Sequence, residues 1–429
     1  MGAKNLLSTT KGRFLTFGLL YISEGIPYGF TSTAMVAFMR TEGLSLSQIG
    51  TFVAALFLPW AFKWAWAPVI DLVKLGRFGG RKAWILFCTT MMMVTLLITA
   101  TVDFVANFQL LLIMIVLNNF FCATQDVAID SLAVSTLKED ERGRGNGFMF
   151  GGQYLGIALG GGGAVFIFGF WGFNVTLFYI SGMLLLSWLF VLFFVHDPDV
   201  ARQARQLKGN ALLEFSKNLV SFLRILYASF LKSGAGPKLG LIFSLLPVGA
   251  MALQYAILGT IKVDYGLTAT QIAQISIAST VFSALGCLIG GVLGDRFGLK
   301  KIIGIFYFLT VMPTLLLATQ ISTLGLQNVP LHVFYGVIVS HGLLFGMSFG
   351  VKNAVFMGMT NPAVAATQFT AFMAMSNLAI SFANFWQGNV AEQFNYATVL
   401  YLDALLVIFP LLVIPFLRNR EDMIEASLT

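Results

Sequence analysis

Long apolar segments dominate this chain and limit it to folds that sit in a lipid bilayer. Of its 429 residues, 57% are hydrophobic and only 10% are charged, and the mean hydropathy is +0.83. A soluble domain with this composition would expose large apolar patches. A membrane helix needs about 20 apolar residues, so we predict twelve: 14–39, 49–72, 83–103, 108–135, 146–169, 174–195, 239–261, 271–294, 301–320, 331–359, 367–391 and 396–417.

Lysine and arginine are distributed unevenly between the two predicted sides of the membrane. Of the 26, Lys63 and Lys352 fall within predicted helices and Arg40 and Lys262 fall outside the cell; the other 22 lie inside if both termini are cytoplasmic. Basic residues concentrate in cytoplasmic loops, so we predict both termini there. Because the net charge of +7 is spread over loops, it does not indicate a nucleic-acid partner.

The predicted helices fall into two related sets of six. The longest loop predicts a division into an N-terminal six-helix bundle (1–195), a cytoplasmic linker with an amphipathic helix (196–238) and a C-terminal six-helix bundle (239–429). Similar sequences at 42–50 and 265–273 are offset by 223, and Asp71 and Asp295 by 224. A nearly constant offset indicates duplication, so we expect two bundles around a central cavity.

Two acids lie inside the fourth predicted helix. Asp126 and Asp130 are four residues apart and share one helix face. A charge in a membrane helix costs about 2.5 to 3.5 kcal/mol on insertion scales, so such acids are expected to face a protein interior and often carry protons. We predict that both bind protons, with Glu24 in the first helix as a third candidate. The alternative is that the acids only pair with an intramembrane lysine, such as Glu24 with Lys63.

The repeat places a lysine opposite these acids. Adding 224 to the acid positions gives 350 and 354, which bracket Lys352 on the tenth predicted helix. Lys352 is therefore expected to contact an anionic substrate group, unless it is a counter-ion for Asp403 or for the acids. Five further residues are expected to contact substrate: Gln125, Gln153, Tyr154, His341 and Asn377. The three cysteines lack metal-site spacing, and we predict neither a metal nor a cofactor.

Several motifs resemble those of known transporters. The segment 290–301, GGVLGDRFGLKK, resembles the loop signature of the major facilitator superfamily. FLPWAFKWAWAPVID (57–71), GGRKAW (79–84), ATQDVAID (123–130) and ERG (141–143) together resemble the AmpG-like permease and acetyl-CoA transporter family. The resemblance implies gating roles for a set of charged residues: Lys63, Asp71, Arg81, Lys82, Glu141, Arg142, Asp295, Arg296 and Lys300.

The resemblance also implies a function. Members of this family move anhydromuropeptides, ferric siderophores or acetyl-CoA across membranes, and the segment around Glu24 is more similar to the siderophore and acetyl-CoA branches. The chain lacks a GxxxxGK[ST] nucleotide-binding motif. We therefore predict a monomeric, proton-driven, alternating-access importer in a bacterial inner membrane, with an anhydromuropeptide or a ferric siderophore as substrate. A polytopic membrane acyltransferase is the alternative from another class.

Overall fold

The computed structural model is all-α in the residues it describes, which are 5–66, 70, 80–101, 107–137, 142–196, 235–359 and 365–417, with single residues or pairs between 216 and 230. The α-helices are α1 (Thr10–Gly29), α2 (Met35–Thr41), α3 (Leu46–Phe62), α4 (Arg81–Thr99), α5 (Phe108–Thr136), α6 (Arg142–Ala158), α7 (Ala164–Phe194), α8 (Ala235–Ser244), α9 (Ala256–Asp264), α10 (Ala269–Phe297), α11 (Leu299–Leu324), α12 (Leu331–Gly358), α13 (Ala365–Gln393), α14 (Tyr396–Leu406) and α15 (Ile408–Val413). The predicted all-α class is confirmed for this part of the chain.

Eight helices of the described part are long and apolar enough to cross a membrane. One of them, Phe148–Phe194, is 47 residues long; it combines most of α6 with α7 and covers two predicted crossings. It is interrupted at Gly172, whose φ of 80° is a conformation that residues with a side chain rarely adopt. This interruption lies between the predicted helix end at 169 and the next predicted start at 174.

The chain forms two compact units. The first comprises Met1–Ala34 and Phe62–Ser221, and therefore contains α1 and α4 to α7. The second comprises Met35–Ala61 and Phe222–Thr429, and contains the other helices. Of the amphipathic helix predicted within 196–238, only scattered residues between 216 and 230 are described, and these are helical.

In the first unit, α1 and α6 pack backbone against backbone. A Cβ atom at Gly25 would lie 2.3 Å from the Gln153 carbonyl oxygen, and one at Gly156 would lie 2.4 Å from the Ile22 carbonyl oxygen. Both contacts are too short for any side chain. Glycines at these positions therefore let α1 and α6 approach closely, which brings Glu24, the neighbour of Gly25, against α6.

Buried amides set the position of α5 against α4. The Asn118 side-chain amide donates to the Met92 carbonyl (3.0 Å) and to the Thr95 hydroxyl (2.8 Å), and both asparagine and threonine are buried. The apolar residues Ile129 and Leu132 are fully buried in the core of this unit. Asn118, Ile129 and Leu132 thus face α4 and the core, and Asp126 and Asp130 lie on a different side of α5.

In the second unit, α12 is the counterpart of α5. The two helices begin 223 residues apart (331 minus 108) and end 222 apart (358 minus 136), close to the offset read from the sequence. Glycines again permit close packing, because a Cβ at Gly346 would lie 2.1 Å from the Ser283 carbonyl oxygen of α10. The duplicated sequence thus produces helices of matching position and length.

The seventh predicted helix differs from the expectation. Residues 239–261 were expected to form one helix, but α8 ends at Ser244, α9 begins at Ala256, and the residues between them are not helical. Pro247 has no N–H to donate, and Gly249 has a φ of 70°. The prediction of a continuous helix is therefore wrong here. It was based on mean hydropathy, which does not detect the effect of a proline or a glycine on the backbone.

We expect the α1–α6 contact to tolerate no side chain. Gly156→Ala should destabilise the protein by about 1 to 3 kcal/mol, because the new methyl group meets backbone. Gly151→Ala in the same helix is the matched control, since nothing lies within 4 Å of that position. The measurement is the melting temperature of each purified variant in detergent; equal values for the two variants would contradict the close packing.

Candidate functional site

The first unit contains a group of charged side chains, called here the acid cluster: Glu24, Lys63, Asp126 and Asp130. Glu24 and Asp126 are buried, and Lys63 and Asp130 are half-buried. Lys63, in the short helical turn after α3, forms an ion pair with Asp126 of α5. The Tyr21 hydroxyl of α1 donates to Asp130 Oδ1 at 2.5 Å. Asp126 is only 4% exposed. The cluster therefore joins α1, α5 and the turn at Lys63 through charge-assisted hydrogen bonds.

Glu24 completes the cluster from α1. Its side chain is 2% exposed, and the Gln153 amide of α6 donates to Oε1 at 2.7 Å. Its other oxygen, Oε2, has no hydrogen-bond partner among the described residues. The charges of Glu24, Asp126 and Asp130 all act on Lys63. The four groups therefore form one electrostatic unit.

The charges in this cluster do not balance. Three carboxyl groups share one lysine among the described residues. Excess negative charge inside a low-dielectric protein interior is relieved when a carboxylate binds a proton or a cation. Among the described residues, the acid cluster is therefore a place where a bound proton or cation would be stabilised.

Lys352 of α12 is a buried lysine of the second unit. It is 1% exposed, and Nζ has no hydrogen-bond partner among the described residues. Nζ lies 4.4 Å from the centre of the Phe349 ring and 5.5 Å from that of Phe356. Aromatic faces compensate part of the cost of burying an ammonium group, so Lys352 keeps its hydrogen-bond donors available for an anion. Asp403 accepts its hydrogen bonds from other groups.

The other predicted substrate contacts are divided between the two units. In the first, Gln125 donates to the Thr89 hydroxyl at 2.6 Å, and Gln153 binds Glu24 as described. In the second, His341 Nε2 lies 2.9 Å from the Ala250 carbonyl oxygen, and its Nδ1 has no partner among the described residues. Tyr154 and Asn377 are half-buried on α6 and α13.

Only some of the predicted gating residues are described. Arg81 Nε donates to the Ser131 hydroxyl (2.7 Å), Lys82 Nζ donates to the Leu192 carbonyl (2.8 Å), and the Arg296 guanidinium lies 5.3 Å from the Phe297 ring centre. Lys300 is half-buried in the first turn of α11. The remaining candidates fall outside the described residues, either entirely (Asp71, Glu141) or in their side chains (Arg142, Asp295).

A sequence model of a transporter family matches nearly the whole chain. The model described as Major Facilitator Superfamily matches residues 14–253 and 239–426. The chain belongs to the major facilitator superfamily. It is therefore a multi-pass membrane transporter and not an enzyme, and the acyltransferase alternative is wrong.

Relatives within the superfamily confirm the resemblance to AmpG-like permeases. The chain is 23% identical over 362 residues to the anhydromuropeptide permease of Escherichia coli, covering 83% of this chain and 70% of that one. It is 20% identical over 428 residues to a transporter of Rickettsia conorii named AmpG 4, covering 96% and 98% of the two chains. None of these comparisons supports the siderophore alternative.

Solved structures of superfamily transporters share the fold. A mutant of the nucleoside transporter NupG matches with a TM-score of 0.70 and 17% identity, covering 95% of this chain and 100% of that one. The D-xylose–proton symporter matches with a TM-score of 0.68 and 14% identity, covering 92% and 96%. These matches confirm the superfamily fold.

One residue that binds the acid cluster of this superfamily transporter, Tyr21, was not anticipated from sequence. Tyr21 lies three residues before Glu24 in α1, so both side chains share one helix face. That spacing was visible, but a tyrosine in an apolar helix is usually a packing residue. Its bond to Asp130 became evident only from the structure.

Removal of one partner of the Lys63–Asp126 pair should be costly. Lys63→Met should destabilise the protein by about 3 kcal/mol, because it leaves the buried Asp126 carboxylate without its cation. The double variant Lys63→Met with Asp126→Leu should recover much of that loss. Urea or thermal unfolding of purified variants measures both; a double variant as unstable as the sum of the single changes would contradict the pairing.

Proposed function

We propose that this transporter imports an anhydromuropeptide, or a similar bulky and partly anionic solute, driven by inward proton flow. The acid cluster carries this proposal, because three carboxyl groups, two of them buried, share one lysine among the described residues of the first unit. Acids within membrane helices commonly serve proton relays. We place proton binding at Asp126, Asp130 and Glu24.

The three acids of the cluster have different partners, so protonation of each would change a different contact. Asp126 is paired with Lys63, so protonation of this acid would release the lysine. Asp130 is bound to Tyr21, and Glu24 has one oxygen free of hydrogen bonds among the described residues. Proton uptake in this cluster would therefore rearrange the bonds between α1, α5 and α6. We infer that this rearrangement couples proton binding to alternating access.

On the substrate side, the proposal uses Lys352, a buried lysine of the second unit that makes no hydrogen bond to the described residues. It is flanked by Phe349 and Phe356. A carboxylate of the solute would supply the missing partner, and the aromatic rings would pack against its apolar parts. The relative from Escherichia coli is named for anhydromuropeptide transport, which supports this class of substrate. Gln125, Gln153, Tyr154, His341 and Asn377 are the further proposed contacts.

The remaining features of the proposal concern topology and gating. We infer twelve crossings in two six-helix bundles, and the distribution of lysine and arginine supports cytoplasmic positions for both termini. A monomer in a bacterial inner membrane is also part of the proposal. Arg81, Lys82, Arg296 and Lys300, together with the acids at the same loops, would form the cytoplasmic gate. Opposite charges at facing helix ends can bind in one conformation and separate in the other.

Uptake of a labelled muropeptide tests the whole proposal. Cells that express the protein should accumulate N-acetylglucosaminyl-anhydromuramyl-peptide, and a protonophore should abolish the accumulation because it dissipates the driving force. An immunoblot of the membrane fraction establishes that the protein is present. Absence of accumulation in such cells would exclude this substrate, whereas accumulation that resists the protonophore would exclude proton driving.

Asp126→Asn should separate coupling from binding. The variant keeps the size of the side chain and an oxygen that can accept from Lys63, but it carries no charge and cannot bind the coupling proton. Accumulation against a gradient should therefore fall at least tenfold while exchange of labelled for unlabelled solute persists. Glu392→Gln is the matched control, since Glu392 is an exposed acid of α13. Unchanged accumulation by Asp126→Asn would remove this residue from the coupling mechanism.

Lys352→Met should weaken the binding of an anionic solute. Loss of a charge-assisted bond costs about 1.5 to 3 kcal/mol, which corresponds to a KM higher by about 10-fold to 100-fold. Lys262→Met is the control, because Lys262 is equally buried but already donates to the Ser276 hydroxyl at 2.8 Å. A similar rise in KM for both variants would show that the effect comes from general disturbance of the second unit.

A further inference from the structure

A buried acid of the second unit contacts the break between α8 and α9. Asp403 of α14 is 2% exposed. Its Oδ2 atom accepts hydrogen bonds from the backbone N–H groups of Met251 (2.7 Å) and Ala252 (2.8 Å). One carboxylate oxygen therefore binds two consecutive backbone groups in the middle of the non-helical segment 245–255.

The break requires such partners. An unsatisfied backbone group within a membrane costs several kcal/mol, so non-helical backbone there must be satisfied by the protein. Ala250 N–H donates to Thr310 of α11 (2.9 Å), and Ala256 N–H donates to Asn384 of α13 (3.0 Å). These two partners are neutral. Asp403 is the only acid among the side chains that accept bonds from this segment in the described residues.

The site can accommodate both charge states of the carboxyl group. The Gln387 amide nitrogen donates to Asp403 Oδ1 at 2.8 Å, which suits a carboxylate. The Gln387 amide oxygen is buried and has no partner among the described residues. A half-turn of this amide would present the oxygen to a protonated Asp403. A proton from water could thus bind at Oδ1 while Oδ2 remains bonded to the backbone.

No described cation neutralises Asp403. Asp403 is surrounded by the segment 245–255, α11 and α13. His341 of α12 contacts the same segment at the Ala250 carbonyl. Lys300 and Lys301 of α11 precede Thr310 by nine residues or more, about 14 Å along the helix, and Lys352 follows His341 by eleven, about 16 Å. The other titratable groups on these elements and on α14 itself are five tyrosines, two histidines of α12 and the exposed Glu392. They are Tyr255, Tyr307, Tyr335, Tyr396, Tyr401, His332, His341 and Glu392.

We propose that Asp403 is a further proton-binding residue of this transporter, and that its ionised form stabilises the break at Met251 and Ala252. Its part in transport rests on the proposed proton-driven function, whereas the link between the proton and the break rests on the contacts alone. Protonation replaces two charge-assisted hydrogen bonds by neutral ones, which are about half as strong. Asp403 then holds the segment between α8 and α9 less strongly.

Hydrogen exchange of the segment 245–255 tests this link without any substrate. The exchange of purified protein in nanodiscs is followed by mass spectrometry from pH 5 to pH 8.5 and normalised to the intrinsic rate of the unfolded peptide. We expect the protection of the Met251 and Ala252 amides to fall about tenfold toward low pH. Asp403→Asn should remove the pH dependence, because asparagine accepts the same bonds and does not titrate. Wild-type protection that stays constant with pH would overturn the proposal.

Two further variants identify the titrating group. Asp403→Glu keeps a carboxyl group and should keep a pH dependence, and His341→Gln should also keep it, since His341 contacts only the Ala250 carbonyl in this segment. Loss of the dependence in His341→Gln, or its persistence in Asp403→Asn, would assign the effect to another group and overturn the proposal. Because no solute is involved, a wrong substrate assignment leaves this result unaffected.

Discussion

A charged or polar group inside an apolar helix is stable only if the protein itself supplies its partner, since no water is there to do so. This constraint explains the buried polar contacts of both units. In the first unit, Lys63 pairs with Asp126 and Tyr21 with Asp130. In the second unit, the same requirement brings Asp403 to the unwound backbone at Met251. Where partners are incomplete, as at Glu24 and Lys352, a transported proton or solute can supply them.

Close packing through glycine brings these partners within reach. The contact of Gly25 with α6 places Glu24 beside Gln153, because no side chain separates the two backbones. In the second unit, Gly346 serves α12 in the same way. Packing of this kind fixes the two backbones relative to each other, whereas the hydrogen bonds of the polar side chains beside the contact can change. Charge rearrangement at fixed helix contacts is a suitable basis for switching between two states.

Much of this organisation could be predicted from the sequence. Hydropathy predicts the helices, four-residue spacing places Asp126 and Asp130 on one face, and the repeat offset identifies α12 as the counterpart of α5. The break at 245–255 could not be predicted, because the groups that stabilise it, such as Thr310 and Asp403, are distant in sequence. The sequence left open that an acid of the fourth predicted helix pairs with an intramembrane lysine, and the structure shows the pair Lys63–Asp126. Which acid binds Lys63 could not be predicted, because the two residues are distant in sequence.

The most direct test of the central claim, that the acid cluster couples proton movement to solute movement, is simultaneous measurement of both in proteoliposomes. A pH-sensitive dye trapped inside the vesicles reports protons, and a labelled muropeptide reports the solute. The account predicts that solute addition acidifies the lumen of vesicles with the wild-type protein, and that Asp126→Asn moves solute down its gradient without this acidification. Solute entry by the wild-type protein with no change of internal pH would contradict the account.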